Sequence, residues 1–359
     1  MNLVYDGRIF QIQRAGGINR YFAEVIGGLP ADWRPMLLCS GELGSHAPRH
    51  PNLQVRGEWN FHPRRWRPLV NRQINFRSIL AQADILHPTY YSLSECLTEI
   101  KCPLVTTVYD FTYAAYSSLM NDSASVIRDQ TQMIERADHV ICISKFTEND
   151  LLERVPAARG KTSVIYLSAS FASDGQNSIP EDPPAFLFVG ARYGYKNFAF
   201  LLRAFAAACS QRKNLRLYVA GPPLTPEERW QAHFLGITDR LVSVVYPDEA
   251  ELKRLYQKSL ALLYPSIHEG FGIPPLEAMA CRTVAVTANN TCLPEVVADG
   301  GIMLDPFSES DWTECMLQLV VGRMDRAAVI KRGLARVGLF SWEKSTRLHN
   351  ELYRRIAGK

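Results

Sequence analysis

At 359 residues the chain is too long for one ordinary core and suits two domains. Hydrophobic residues make up 47% and charged residues 21%, values that exclude disorder as the default, and a net charge of only +4 is too small for a global nucleic-acid footprint. The eight cysteines form no CxxC pair and no His/Cys ligand spacing, which argues against a zinc site or a disulfide framework and predicts reduced, mostly buried thiols.

The opening stretch MNLVYDGRIF carries charge at Asp6 and lacks a long apolar region, so it predicts a first strand rather than a signal peptide. RAGGINRYF then sets Gly16 and Gly17 between that strand and its helix. It does not spell GxGxxG, and RPMLLCSG ends without the acid that would hold a ribose, so a dinucleotide fingerprint is not supported. A loop that admits a sugar or phosphate to the helix start and a plain tight turn both fit. Residues 62–77, HPRRWRPLVNRQINFR, interleave Arg64, Arg65, Arg67, Arg72 and Arg77 with Trp66 and Phe76. That composition suits peripheral contact with an anionic membrane surface, with a solvated basic helix or a nucleic-acid contact as the alternative. No run of 18 apolar residues exists, so nothing is expected to span a bilayer and the expected compartment is the cytoplasm, at most at the inner face of its membrane.

Short apolar runs continue with RPMLLCS, ADILHP, PLVTTVYD, HVICIS and TSVIYL, at intervals that leave room for helices; this is the rhythm of βα units around a parallel sheet. SASFASDGQNSIPEDPP, rich in Ser, Pro, Gly and acid, reads as a linker. The rhythm restarts with AFLFVGA, LRLYVAGP, LVSVVYP, ALLYPS, TVAVTAN and GIMLDP, and SWEKSTRLHNELYRRIAGK ends the chain as an amphipathic helix behind a Ser N-cap. The expected fold is α/β, with two Rossmann-like doubly wound domains facing a central cleft. The domains are residues 1–170 and 185–340, joined by a linker over 171–184. Ligands of such sheets sit outside the carboxyl ends of the strands.

Two stretches stand at such ends. VGARYGYKN places Gly190, Arg192 and Lys196 after a strand, and two cations there suit the charge that develops on a diphosphate leaving group. HEGFGIPPLEAMAC follows ALLYPS. Pro274 and Pro275 suit a first helical turn, and Gly270 and Gly272 let a phosphate approach its free N–H groups. Glu269 and Glu277 could then hold different parts of one ligand.

These residues resemble glycosyltransferase family four, the retaining GT-B enzymes: HEGFGIPPLEAMA matches its Glu, seven residues, Glu motif, VGARYGYKN its Arg and Lys pair, AGGINRYF its N-terminal glycine loop, and PDEAELKRLYQKSLALLYPS the segment before the first Glu. ADHVICISKFTENDLLE and FSWEKS are similar to further family segments. The resemblance implies a GT-B fold in which the C-terminal helix 341–359 crosses back to complete the first domain. It implies metal-independent transfer of mannose or another hexose, with retention, from a nucleotide diphosphate sugar as co-substrate and with no cofactor. The acceptor it implies is a glycan or a lipid-linked one, in cell-surface polysaccharide or glycolipid synthesis, and nucleic acid is not an expected partner.

It also implies catalytic roles for Arg192, Lys196 and Glu269, with Glu269 on the donor sugar, Glu277 on the ribose and Arg192 with Lys196 on the diphosphate. Gly16, Gly17, Gly190, Gly270, Phe271 and Gly272 would line the donor, Gly17 facing its phosphate, and Val245 and Tyr246 would hold the base through backbone. Tyr109 and Asp110 in TTVYDFTY, where the family usually has His before Asp, would also line the donor, and His87 in DILHPTYY is a further candidate for a sugar or acceptor contact, a packed histidine being the alternative. A nucleotide-sugar epimerase or phosphorylase of the same architecture, or an inactive partner subunit, is the rival reading.

Overall fold

Runs of Val, Ile and Leu between turn residues become parallel strands along the whole chain. They are seen in a computed structural model that describes residues 1–13, 16–39, 43–44, 46–57, 76–91, 100–117, 123–171, 180 and 182–358. Contacts divide it into one unit of Met1–Leu167 with Trp342–Lys359 and a second of Ser168–Ser341. The arginine-rich stretch lies outside the described residues as far as residue 75, and so does most of the expected linker. Among the described residues no helix is long and apolar enough to cross a membrane, and the cysteines are free thiols, most of them buried.

In the first unit the strands are β1 (Asn2–Tyr5), β2 (Arg34–Leu38), β3 (Gln54–Arg56), β4 (Ile85–Leu86), β5 (Val105–Val108), β6 (His139–Cys142) and β7 (Thr162–Val164). Their order is β3-β2-β1-β4 and β5-β6-β7, all parallel, and a parallel bridge between Leu86 and Leu104 joins the two sets. β3 is the strand that hydrophobic patterning missed. Its three residues are exposed at the sheet edge, where no buried face requires alternation. The last helix, Trp342–Ile356, returns to this unit and packs on the helix Gly17–Gly27. A Cβ on Gly28 would stand 2.6 Å from Thr346, so the chain after the Gly17–Gly27 helix passes close beneath the last one.

The second unit carries β8 (Ala185–Val189), β9 (Arg216–Gly221), β10 (Leu241–Val245), β11 (Ala261–Tyr264), β12 (Val284–Ala288) and β13 (Ile302–Leu304) in the parallel order β10-β9-β8-β11-β12-β13. Phe186, Phe188, Phe205 and Trp312 anchor its core, each burial contributing roughly 1.5–3 kcal/mol. Counted from its own first strand the order is 3-2-1-4-5-6, the doubly wound Rossmann order, which reverses direction between β8 and β11. In sheets of this order the connections at the reversal leave toward opposite faces, and ligands bind outside the carboxyl ends of the two strands. The loop bearing Lys196 follows β8, and the loop bearing Glu269 follows β11.

Candidate active site

β8 ends at Val189, and Gly190 takes φ +121, a conformation that L side chains rarely adopt. Gly221, at the end of β9, comes so close that a Cβ on it would lie 2.5 Å from the Gly190 carbonyl oxygen. Small residues therefore bring two strand ends together at the carboxyl edge of the sheet. The chain then turns through Gly194–Lys196 into the helix Phe198–Gln211.

Arg192 and Lys196, expected to act together, take separate partners. Arg192 Nε donates to Glu228 Oε1 at 2.7 Å and Nη2 donates to the Pro223 carbonyl at 2.7 Å, with the guanidinium over the Phe198 ring and the side chain only 3% exposed. Lys196 Nζ donates to Glu269 Oε1 at 2.6 Å and lies 3.3 Å from the Tyr264 hydroxyl. Burial, and then the Glu269 charge, raise the Tyr264 pKa well above its ordinary value, so this phenol stays protonated. Lysine, glutamate and tyrosine thus form one charge-assisted cluster at the β8/β11 reversal. A backbone bond from Ile267 N–H to the Tyr195 carbonyl (2.8 Å) ties the two loops that carry it.

Beyond Glu269 the chain runs through Gly270 and Phe271 to Gly272, which caps the helix Ile273–Ala280 with φ +90; a Cβ there would stand 2.8 Å from Leu293 Cδ2. Pro274 and Pro275 lie in the first turn, as their missing N–H groups allow. Phe271, expected to line the donor, is buried and packs edge-to-face against Phe340 at 5.8 Å. Glu277 is buried in that helix and its Oε2 accepts from the Tyr256 hydroxyl at 2.8 Å. Around these residues Arg192 Nη1, Ser266 Oγ, Thr287 Oγ1 and Asn290 Oδ1 are buried without a hydrogen-bond partner. Buried polar atoms are normally paired, because an unpaired one costs about 1–3 kcal/mol. Four of them near strand ends of one sheet are what a polar ligand would satisfy.

At the end of β10, Val245 is half-exposed and Tyr246 is 69% exposed with φ +47; its N–H donates to the Gly221 carbonyl at 3.0 Å. That leaves the Tyr246 ring free for a flat partner, but its amide is already engaged. A base held there by the Tyr246 N–H, one form of the expected backbone contact, would have to displace Gly221.

The candidates of the first unit behave differently. Gly16 precedes the helix Gly17–Gly27 in extended conformation, and a Cβ on it would collide with Gln13 Oε1. Tyr109 is buried and donates to the Thr89 carbonyl at 3.2 Å, while Asp110 Oδ1 accepts from Thr112 N–H at 2.8 Å and stabilises a short turn of helix. His87 is wholly buried: Nδ1 lies 2.6 Å from the Tyr353 hydroxyl and Nε2 lies 2.9 Å from Thr107 Oγ1. The expected sugar or acceptor contact by His87 is therefore replaced by a packed core histidine that ties β4 to the last helix. Tyr264, Tyr256 and Glu228 were missed. Each sits inside a pattern that fully explains it as structure: the end of an apolar strand, the buried face of a helix, and the third position of a capping box with Thr225.

Two α/β units with parallel Rossmann-like sheets define the GT-B class. Residues 15–168 match the model described as Glycosyltransferase Family 4, and residues 170–336 match that described as Glycosyl transferases group 1. The two matches identify the first part of the chain as a Glycosyltransferase Family 4 domain and the second as a Glycosyl transferases group 1 domain. The chain is 28% identical over 239 residues to O-antigen chain mannosyltransferase B of Escherichia coli, covering 60% of this chain and 60% of that protein, so it spans less than two thirds of that relative's length. Its fold is similar to that of sucrose-phosphate synthase from Thermosynechococcus elongatus (20% identity, TM-score 0.77, covering 99% of this chain and 98% of that one). It is similar also to Anabaena HepE solved with UDP and glucose (17% identity, TM-score 0.75, covering 98% of each).

Proposed function

We propose that the chain is a retaining glycosyltransferase that moves a hexose, with mannose the first candidate, from a nucleotide diphosphate sugar to a glycan or lipid-linked acceptor in cell-surface polysaccharide or glycolipid synthesis. The observation that carries this reading is the Lys196–Glu269–Tyr264 cluster at the β8/β11 reversal, surrounded by buried polar atoms that lack partners. A diphosphate placed there would draw Lys196 partly off Glu269. The freed carboxylate oxygen could then accept hydroxyls of the donor sugar, which couples diphosphate binding to sugar binding in one exchange of partners. As the bond to the anomeric carbon breaks, the negative charge grows on the leaving diphosphate, where Lys196 and Arg192 answer it without a bound cation. Retention follows if the acceptor hydroxyl approaches from the leaving-group side and gives its proton to the departing phosphate oxygen.

The mannosyltransferase relative supports the choice of sugar and the UDP-bound fold neighbour supports a nucleoside diphosphate. A thermal-shift series with UDP, GDP, ADP and dTDP tests the reading first, since a ligand of the native state raises apparent stability with occupancy. Incubation of the selected donor with oligosaccharide acceptors follows, and the anomeric configuration of the product is read by NMR. Absence of any shift in the series, or an inverted product, overturns the corresponding part. Contact with an anionic membrane through the arginine-rich stretch is part of the same proposal. Vesicle flotation at low and high salt tests it, since a polybasic contact is screened by ions.

A further inference from the structure

We infer that Tyr256 is the positioning residue that aims Glu277 at the ribose, and so makes this site select ribonucleotides over 2′-deoxyribonucleotides. The inference rests on the donor reading above and adds to it a residue and a specificity.

Tyr256 lies on the helix Glu249–Lys258 and is completely buried. Its hydroxyl donates to Glu277 Oε2 at 2.8 Å. Burial, and then the Glu277 charge, push the phenol pKa well up, so it remains a donor whenever the carboxylate is ionised. The ring cannot drift. Its own carbonyl accepts from Thr283 Oγ1 at 2.6 Å and from Ser259 N–H at 3.1 Å, which ties the end of its helix to the start of β12. Phe171 closes on it edge-to-face at 6.0 Å. The Thr283 N–H in turn donates to the Ala278 carbonyl at 2.8 Å, one residue past Glu277, so the donor and its acceptor are carried by segments joined through one residue.

A carboxylate rotates almost freely about its last bond, and bidentate capture of two vicinal hydroxyls requires its plane to be held. A buried, immobile donor on one oxygen removes that rotation. The 2′- and 3′-hydroxyls of a ribose are such a vicinal pair. A 2′-deoxyribose offers one hydroxyl and gains nothing from the fixed plane.

The test uses the full chain and UDP, GDP and ADP, each with its 2′-deoxy counterpart, with dissociation constants measured by titration calorimetry. The wild-type protein is expected to prefer the ribonucleotide of at least one pair. Tyr256→Phe keeps the ring and removes the donor, and its expected effect is a loss of about tenfold in ribonucleotide affinity with little change for the deoxy form, so that the preference collapses. In a cycle with Glu277→Gln, the double variant should lose no more than Glu277→Gln alone, because Tyr256 acts through Glu277. If Tyr256→Phe does not fold, 3-fluorotyrosine at position 256, a stronger donor of nearly the same shape, should raise the ribonucleotide preference. Wild type binding none of the three diphosphates overturns this inference, and the donor reading falls with it only if dTDP also fails to bind. Wild-type preference that survives in Tyr256→Phe, an additive double variant, or an unmoved fluorotyrosine protein overturns this inference alone.

Discussion

The two units share a strand order and differ in what their buried polar groups do. In the first unit Tyr21, His87, Thr107, His349 and Tyr353 bond to one another and hold the last helix to the sheet, Tyr109 and Asp110 bond to nearby backbone, and the buried atoms left without partners include Gln13 Oε1 and Asn19 Oδ1 beside Gly16. In the second unit Lys196 and Glu269 at the corresponding ends hold each other, and Ser266, Thr287 and Asn290 keep polar atoms without partners. A parallel sheet leaves its carboxyl edge open in both cases. Both units keep buried polar atoms without partners, and the difference lies in the charged groups: an ion pair stands at the edge of the second sheet, and a neutral His/Tyr network stands in the first.

The comparison breaks first at Lys196. Lys196→Ala should lower sugar transfer about a hundredfold or more, since removing a group aimed at developing charge costs about 3 kcal/mol, while thermal stability changes little. Transfer assays with the donor found by thermal shift would read it; near-normal turnover would mean that the cluster serves structure, as its counterpart in the first unit does.

Acid should strike the first unit. Burial holds the His349 imidazole down to about 4, and burial followed by the His349 charge holds His87 well below the ordinary value. The unfolded chain binds protons near pH 6.5 that the folded chain refuses, so the contribution of His349 is fully present above about pH 6.5 and is lost as pH falls toward about 4. The loss amounts to roughly 3 kcal/mol at the acid end. Calorimetric unfolding across that window should show a falling midpoint that His349→Gln flattens. A midpoint equally steep in the variant would place the sensitive groups elsewhere.

Glu277→Ala is expected to weaken nucleoside diphosphate binding by roughly 2 kcal/mol, about thirtyfold, with the free nucleotide and the full donor affected alike. Glu269→Ala should instead reduce transfer more than it reduces binding of free nucleoside diphosphate. Matching defects in the two variants would erase the division of labour between the carboxylates.

The smallest effect belongs to Tyr109→Phe. It removes one hydrogen bond to the Thr89 carbonyl, worth about 1 kcal/mol of stability, and should leave nucleotide affinity unchanged. A loss of affinity in titration with the selected nucleoside diphosphate would return Tyr109 to the donor site and weaken the contrast between the units.

Much of this arrangement is legible in the chain itself. β8 and β11 are AFLFV and ALLY, apolar on both faces as buried parallel strands must be, and the residues after them carry Gly, Lys and Glu where a strand has no further use for them. Lys196 and Glu269 could be found because they follow strands. Tyr264 could not, since a tyrosine ending an apolar strand reads as core and only its hydroxyl takes part in the cluster. His87 misled for the converse reason: it ends a strand as a site residue would, yet Tyr353, 266 residues away, claims its ring.

Alternation of apolar runs with helical segments, glycine where backbone must approach backbone, and proline in a first turn follow from local sterics and hydrogen bonding, so the sequence by itself determined the α/β class, the strand ends and the chemical types gathered there. Partnership was decided by the tertiary structure alone. Lys196 and Glu269 are 73 residues apart and meet because β8 lies beside β11 and not beside β10. Arg192 was turned onto Glu228 by the helix that begins at Pro226, and His87 was withdrawn into the core by a helix from the far end of the chain. A side chain's charge is local, but which partner satisfies it depends on strand order and on the burial that packing imposes.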